Sequence, residues 1–162
     1  MEEAKKAKTL DENTARQKAE HYCAYQERSQ QEVRDKLYEW GQYPSVVENI
    51  ISQLISANFL NEQRFALAYA TGKFRQNGWG KVKIKQGLKL KRVSDPLIKK
   101  ALNNIDGDEY LAMLKRLIEK KAALVKEKDA FKRHFKLHQY LLSRGFESDL
   151  IREVLNNYDT VL

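Results

Sequence analysis

The chain is poor in everything that builds a cross-linked or loop-rich protein. Its single cysteine, Cys23, excludes an internal disulfide and fits a reducing compartment. Two prolines and seven glycines in 162 residues exclude a collagen-like or loop-built chain. No apolar run approaches the ~18 residues of a membrane span. The opening MEEAKKAKTLDENTA lacks the apolar stretch a secretory signal needs. A cytoplasmic protein without a membrane role is the expectation. The phosphate-cradling glycine motifs are missing too, since Gly78-Trp79-Gly80 is neither a Walker loop nor a G-x-G-x-x-G. Of three histidines, His134 and His138 share a helix face, but no third ligand lies near them, so no metal is expected. Cys23 falls on an apolar helix face, and His21, two residues away, points elsewhere, so it reads as core and not as a nucleophile. No catalytic site or cofactor is expected, and the chain does not read as an enzyme.

What is abundant is charge: 32% of residues are Asp, Glu, Lys or Arg, with 30 Lys and Arg against 22 Asp and Glu. The excess is local. Residues 73–100 hold ten basic residues and one acid, Asp95. Residues 115–136 hold nine bases and three acids, Glu119, Glu127 and Asp129, which can pair with nearby lysines. The rest of the chain is net acidic. A basic middle on acidic flanks points to a polyanionic partner, whereas the second block reads as solvated helix faces.

The apolar residues repeat. Leu37 to Leu54, Leu88 to Ile105 and Leu141 to Tyr158 superpose without gaps at shifts of 51 and 53 residues. In each, the later apolar positions recur at helical spacing, as in Val46, Val47, Ile50, Ile51 and Leu54. Val33, Ile84 and Leu137 stand four residues before Leu37, Leu88 and Leu141. Each unit is therefore a helix, a short turn and a second helix, preceded by a further amphipathic helix near 14–26, 62–74 or 108–125. Gly41 and Gly145 are placed to end helices. Asn61, Asp95 before Pro96, a Ser45–Glu48 capping box and Ser148 are the expected caps.

The fold class that follows is all-α: three tandem three-helix repeats in an elongated, curved array. The expected boundaries are a disordered tail at 1–13, then repeats at 14–58, 59–106 and 107–162. One unit alone has a thin core, so neighbours should lean on each other.

The informative constellation is in the middle repeat. Asn61 caps a helix with Phe65 and Tyr69 on its apolar face, and the next helix carries Lys81, Lys85, Lys89 and Arg92 at spacings of 4, 4 and 3. That stripe is about 17 Å long at ~1.5 Å per residue and suits phosphates or an acidic protein surface. Trp79 has two open readings: packing beneath the turn, or stacking on a base or a partner side chain.

The run Phe59-Leu60-Asn61-Glu62-x-x-Phe65-Ala66 resembles that of the RecX family of recombinase regulators. So do Lys73, Arg75, Gly80, Ile84, Leu88 and Lys91 to Val93. Arg28-Ser29-x-x-Glu32-Val33-x-x-Lys36-Leu37-x-x-Trp40-Gly41 resembles the family's opening repeat. The likeness covers about residues 14–158. Two departures predict weaker local helices: Gly87 where a Glu is common, at a cost of roughly 1 kcal/mol, and Arg92 where a turn glycine is common.

The resemblance implies a monomeric regulator that binds the RecA filament on single-stranded DNA, with weak binding of single-stranded DNA either directly or through the filament. It implies inhibition of RecA, with consequences for DNA repair, homologous recombination and the SOS response. By analogy the contact surface is Lys73, Arg75, Trp79, Lys81, Lys83, Lys85, Lys89, Lys91 and Arg92. Two other readings stay open: a stand-alone basic helical protein acting on the phosphate backbone, and a scaffold whose charge is incidental.

Overall fold

The computed structural model describes residues 9–161, with side chains to Tyr158. Among these there are nine helices and no strand. Unit 1 holds α1 (Glu12–Tyr25), α2 (Gln30–Glu39) and α3 (Pro44–Ser56). Unit 2 holds α4 (Glu62–Asn77), α5 (Lys81–Leu90) and α6 (Asp95–Asn103). Unit 3 holds α7 (Gly107–Leu124), α8 (Ala130–Ser143) and α9 (Ser148–Val161).

The repeated apolar positions are the core. Val33, Ile84 and Leu137, and then Leu37, Leu88 and Leu141, are all buried to 1% exposure or less. Val47, Ile98 and Ile151 form the next buried set. Each such side chain contributes roughly 1.5–3 kcal/mol on leaving water.

The turn between paired helices is a repeated backbone motif. In unit 1, Gln42 N–H donates to Leu37 O at 3.1 Å and Gly41 N–H to Tyr38 O at 2.9 Å. Val93 to Leu88 with Arg92 to Lys89, and Phe146 to Leu141 with Gly145 to Leu142, repeat it. This pair of bonds satisfies carbonyls that a helix end otherwise leaves open, and it needs one left-handed residue. Gly41 (φ 83°) and Gly145 (φ 93°) supply it, and so does Arg92 (φ 57°). Arg92 therefore adopts the turn geometry of the glycine it replaces, at some steric cost. Gly87 also has a packing cause: a Cβ there would lie 2.0 Å from the Tyr69 hydroxyl, so glycine admits that ring.

Several expected caps differ. Asn61 does cap α4, accepting from Arg64 N–H at 2.9 Å. The Ser45–Glu48 box does not form: Tyr43 is the N-cap, Pro44 opens α3, and Glu48 pairs with Arg34 at 2.7 Å. Ser94, not Asp95, is the N-cap of α6, with no side-chain bond. Ser148 is the first residue of α9, and its hydroxyl lies 3.3 Å from His138 Nε2. Of the expected disordered tail, residues 1–8 lie outside the described residues. The rest is ordered: Leu10 N–H bonds Trp40 O at 3.2 Å, and Asp11 caps α1.

The units do not lean on each other equally. One hydrophobic cluster runs from Phe65 to Leu155 and is common to units 2 and 3. Unit 1 keeps its own cluster, from Ala15 to Leu60. Units 2 and 3 meet through backbone. Gly80 N–H donates to Arg144 O at 2.8 Å, and Val82 N–H to Gly145 O at 2.9 Å. A Cβ on Gly80 would stand 2.3 Å from Gly145 O. Units 1 and 2 meet through polar groups instead: Gln30 N–H to Glu62 (3.2 Å), Arg64 to Glu27 (2.8 Å) and Lys91 to Glu32 (3.2 Å).

Two substitutions test these contacts by urea unfolding followed by circular dichroism. Gly80→Ala should cost about 2 kcal/mol or more, since backbone, not a movable side chain, blocks the new methyl. Arg92→Gly should stabilise by roughly 0.5 kcal/mol, the left-handed penalty of ~1–2 kcal/mol being partly offset by the backbone entropy of glycine.

Candidate functional site

The basic stripe of α5 opens onto a groove. Its wall on one side is Lys81, Lys85 and Lys89, and on the other Asp95, Lys99, Leu102 and Asn103 of α6, with Ile98 at its base. The groove encloses about 440 Å³. Four lysines and one carboxylate line it. Among the described residues, none of Lys85, Lys89 and Lys99 is in an ion pair. Ile84 and Leu88 anchor α5 in the core, so the 3.6-residue period turns the three lysines outward together.

The start of α5 is held tightly. Lys81 N–H donates to Tyr110 Oη at 3.0 Å, and Tyr110 donates in turn to Glu147. The Lys81 ammonium lies 4.9 Å from the Tyr110 ring centroid. Burial, then the bond to Glu147, holds the Tyr110 phenol above its ordinary pKa, so it stays a neutral donor. Tyr110 packs between Phe74 and Phe146, with centroids at 5.8 and 5.2 Å. The groove is thus mounted on the shared core of units 2 and 3.

The remaining candidates do not join the groove. Trp79 is half-buried, edge-on to Tyr69 at 6.5 Å, with the Lys73 and Lys83 ammonium groups 4.7 and 4.6 Å from its ring centroid. It packs at the turn between two cations. Arg75 points away and pairs with Glu109 at 3.3 Å. Lys91 pairs with Glu32, and Arg92 lies past the end of α5, within 3.5 Å of Gln31. These two tie unit 2 to unit 1, so the expected stripe stops at Lys89. Lys99 belongs to the basic block, but the α5 spacing does not reach it. The signal that could find it is its position next to Ile98, the core residue of α6 that faces α5.

The second basic block also differs from its expected form. Of its three acids only Glu127 is in an ion pair among the described residues, with Lys136 at 2.9 Å. Asp129 caps α8 through Lys132 N–H.

Three family models cover most of the chain. Residues 15–54 match RecX, first three-helix domain; 61–102 match RecX, second three-helix domain; 108–155 match RecX, third three-helix domain. Regulatory protein RecX of Clostridioides difficile (strain 630) is 30% identical over 149 residues, 90% of this chain and 69% of the relative. The chain belongs to the RecX family. Regulatory protein RecX of Clostridium perfringens (strain SM101 / Type A) is 33% identical over 136 residues, 80% of this chain. The match spans 63% of that relative, less than two thirds of its length. The crystal structure of RecX from Lactobacillus salivarius has a TM-score of 0.83 at 26% identity, covering 92% of this chain and 97% of that one. RecX is a family of regulatory proteins, not of enzymes. The lysine groove falls inside the stretch matching the second RecX domain, apart from Asn103 at its edge.

Among the described residues no group of three or more His, Cys, Asp and Glu could hold a metal ion. No described helix is long and apolar enough to cross a membrane. Cys23 is buried in the unit 1 core, and desolvation pushes its pKa up to about 11. At pH 8 its thiolate fraction is then roughly 100-fold below that of a thiol with the ordinary pKa near 9.0. Alkylation of the folded protein should be slower by at least that factor and become fast in denaturant. A colorimetric thiol assay with and without urea checks it.

Proposed function

We propose that this chain restrains a bacterial RecA recombinase by seating the α5–α6 groove of its middle unit against the RecA–single-stranded DNA filament. The observation that carries the reading is the groove: Lys81, Lys85, Lys89 and Lys99 converge there, within the second RecX domain. Four cations around an apolar floor suit phosphate oxygens or clustered carboxylates, and a nucleoprotein filament offers both. RecX membership supports the regulatory role, and the RecA partner follows from the family resemblance. The protein acts as a cytoplasmic monomer without metal or cofactor. Its effects on recombination, repair and the SOS response follow from filament restraint. Lys73, Trp79 and Lys83 form a separate cluster at the turn before α5, whereas Arg75, Lys91 and Arg92 bond to Glu109, Glu32 and Gln31.

The same groove on phosphate alone, without a recombinase, is the reading to beat. ATP hydrolysis by a RecA recombinase on single-stranded DNA separates the two. With DNA held constant, inhibition should set in at protein levels too low to sequester the strand. Lys81→Glu, Lys85→Glu and Lys89→Glu together should weaken inhibition roughly tenfold or more while helicity is kept. Full inhibition by that variant would sink the assignment. Inhibition only when protein coats the DNA would favour the stand-alone DNA binder.

A further inference from the structure

Unit 3 carries a second surface that the groove does not explain. Past the end of α7 the chain crosses 125–129 and enters α8. Arg133 pins that crossing, donating to Val125 O at 3.2 Å and Ala122 O at 3.1 Å. An open depression of about 610 Å³ forms there, with Lys121, Lys126 and Lys136 around Leu124, Phe135 and Tyr140. Leu124 is 73% exposed and Phe135 56%. One turn earlier on the same face of α8, Phe131 is 80% exposed. The Lys121 ammonium lies 4.9 Å from the Tyr140 ring centroid.

Two adjacent phenylalanines left in water are costly, and nothing in the described fold covers them. Their surroundings say what would. Residues 115–136 hold nine bases against three acids. Glu127 is taken up by Lys136, and Asp129 caps its own helix. A matching ligand presents negative charge and flat apolar faces side by side. Single-stranded nucleic acid does so, because its bases are free to unstack onto aromatic rings while its phosphates run past the lysines. A duplex hides its base faces. An acidic peptide supplies charge without planar surfaces to match the rings.

We propose that Phe135, with Lys121 and Lys126 beside it and Phe131 one turn earlier on α8, forms a single-strand binding site on unit 3, separate from the lysine groove of unit 2. The groove has aliphatic lining and can read only charge, whereas this surface engages bases. The proposal stands on unit 3 alone and does not depend on the recombinase reading.

Fluorescence anisotropy of a labelled oligo-dT with the full chain tests it. Phe131→Ala with Phe135→Ala should weaken binding roughly fivefold or more while leaving the slope against log salt unchanged. Lys121→Gln with Lys126→Gln should instead flatten that slope, by about 0.7 for each phosphate no longer engaged. An abasic oligomer should bind the parent as weakly as dT binds the phenylalanine variant. Both phenylalanines are exposed, so helicity by circular dichroism should match the parent. Unchanged dT affinity in the phenylalanine variant would overturn the proposal, as would equal affinity for the abasic strand. If the variant binds dT normally yet loses recombinase inhibition, the surface takes a protein, and the proposal also fails. Loss of binding only in the Lys81, Lys85 and Lys89 reversal would place the strand in the unit 2 groove and overturn it equally.

Discussion

Two glycines in backbone contact hold the arrangement together. Gly80 precedes α5 and Gly145 follows α8, and their peptides bond across the junction at hydrogen-bond distance. Side chains at either place would occupy the partner's backbone. This closeness lets Tyr110, Phe74 and Phe146 interlock beneath it, and it fuses units 2 and 3 into one core. The bonds also satisfy amides at the start of α5 that would otherwise be orphaned. No anion is needed there, so the charge α5 offers is carried by its side chains.

That mounting determines how the lysines are shown. Lys81 is fixed at its backbone by Tyr110, while Lys85 and Lys89 follow one and two turns later on a helix anchored by Ile84 and Leu88. Lys99 comes to the same groove from α6. The Lys73–Trp79–Lys83 cluster sits on the turn just before α5, where the indole gains two cations and Tyr69's edge. A side chain held in this way contributes to the shape of the turn.

Much of the fold was legible because it rests on short-range periodicity. The shifts of 51 and 53 residues aligned Val33, Leu37 and Val47 with their buried counterparts, and a helical period is enough to find such positions. The left-handed turn positions were legible at Gly41 and Gly145 from residue type, and at Arg92 only from its alignment with them, because tertiary context there outweighs residue preference. Caps were the weakest reading, because Ser45, Asp95 and Ser148 each lie within a residue or two of the true boundary and compete with neighbours for the same amides. Of the site, the α5 lysines could be read from spacing. Lys99 could not, because which helices face each other is a tertiary fact. Nor could the fates of Arg75, Lys91 and Arg92, whose partners Glu109, Glu32 and Gln31 lie far along the chain. The exposure of Phe131 and Phe135 was hidden for the same reason: apolar residues at helical spacing look alike whether or not anything packs on them.

The junction between units 1 and 2 gives the molecule an uneven mechanical character. Units 2 and 3 are joined by packing and backbone bonds, which added salt barely weakens. Unit 1 is joined by ion pairs such as Arg64–Glu27 and Lys91–Glu32, which ions in solution screen over about 10 Å at 0.1 M. Its attachment therefore softens with ionic strength, while the two-unit body keeps its form.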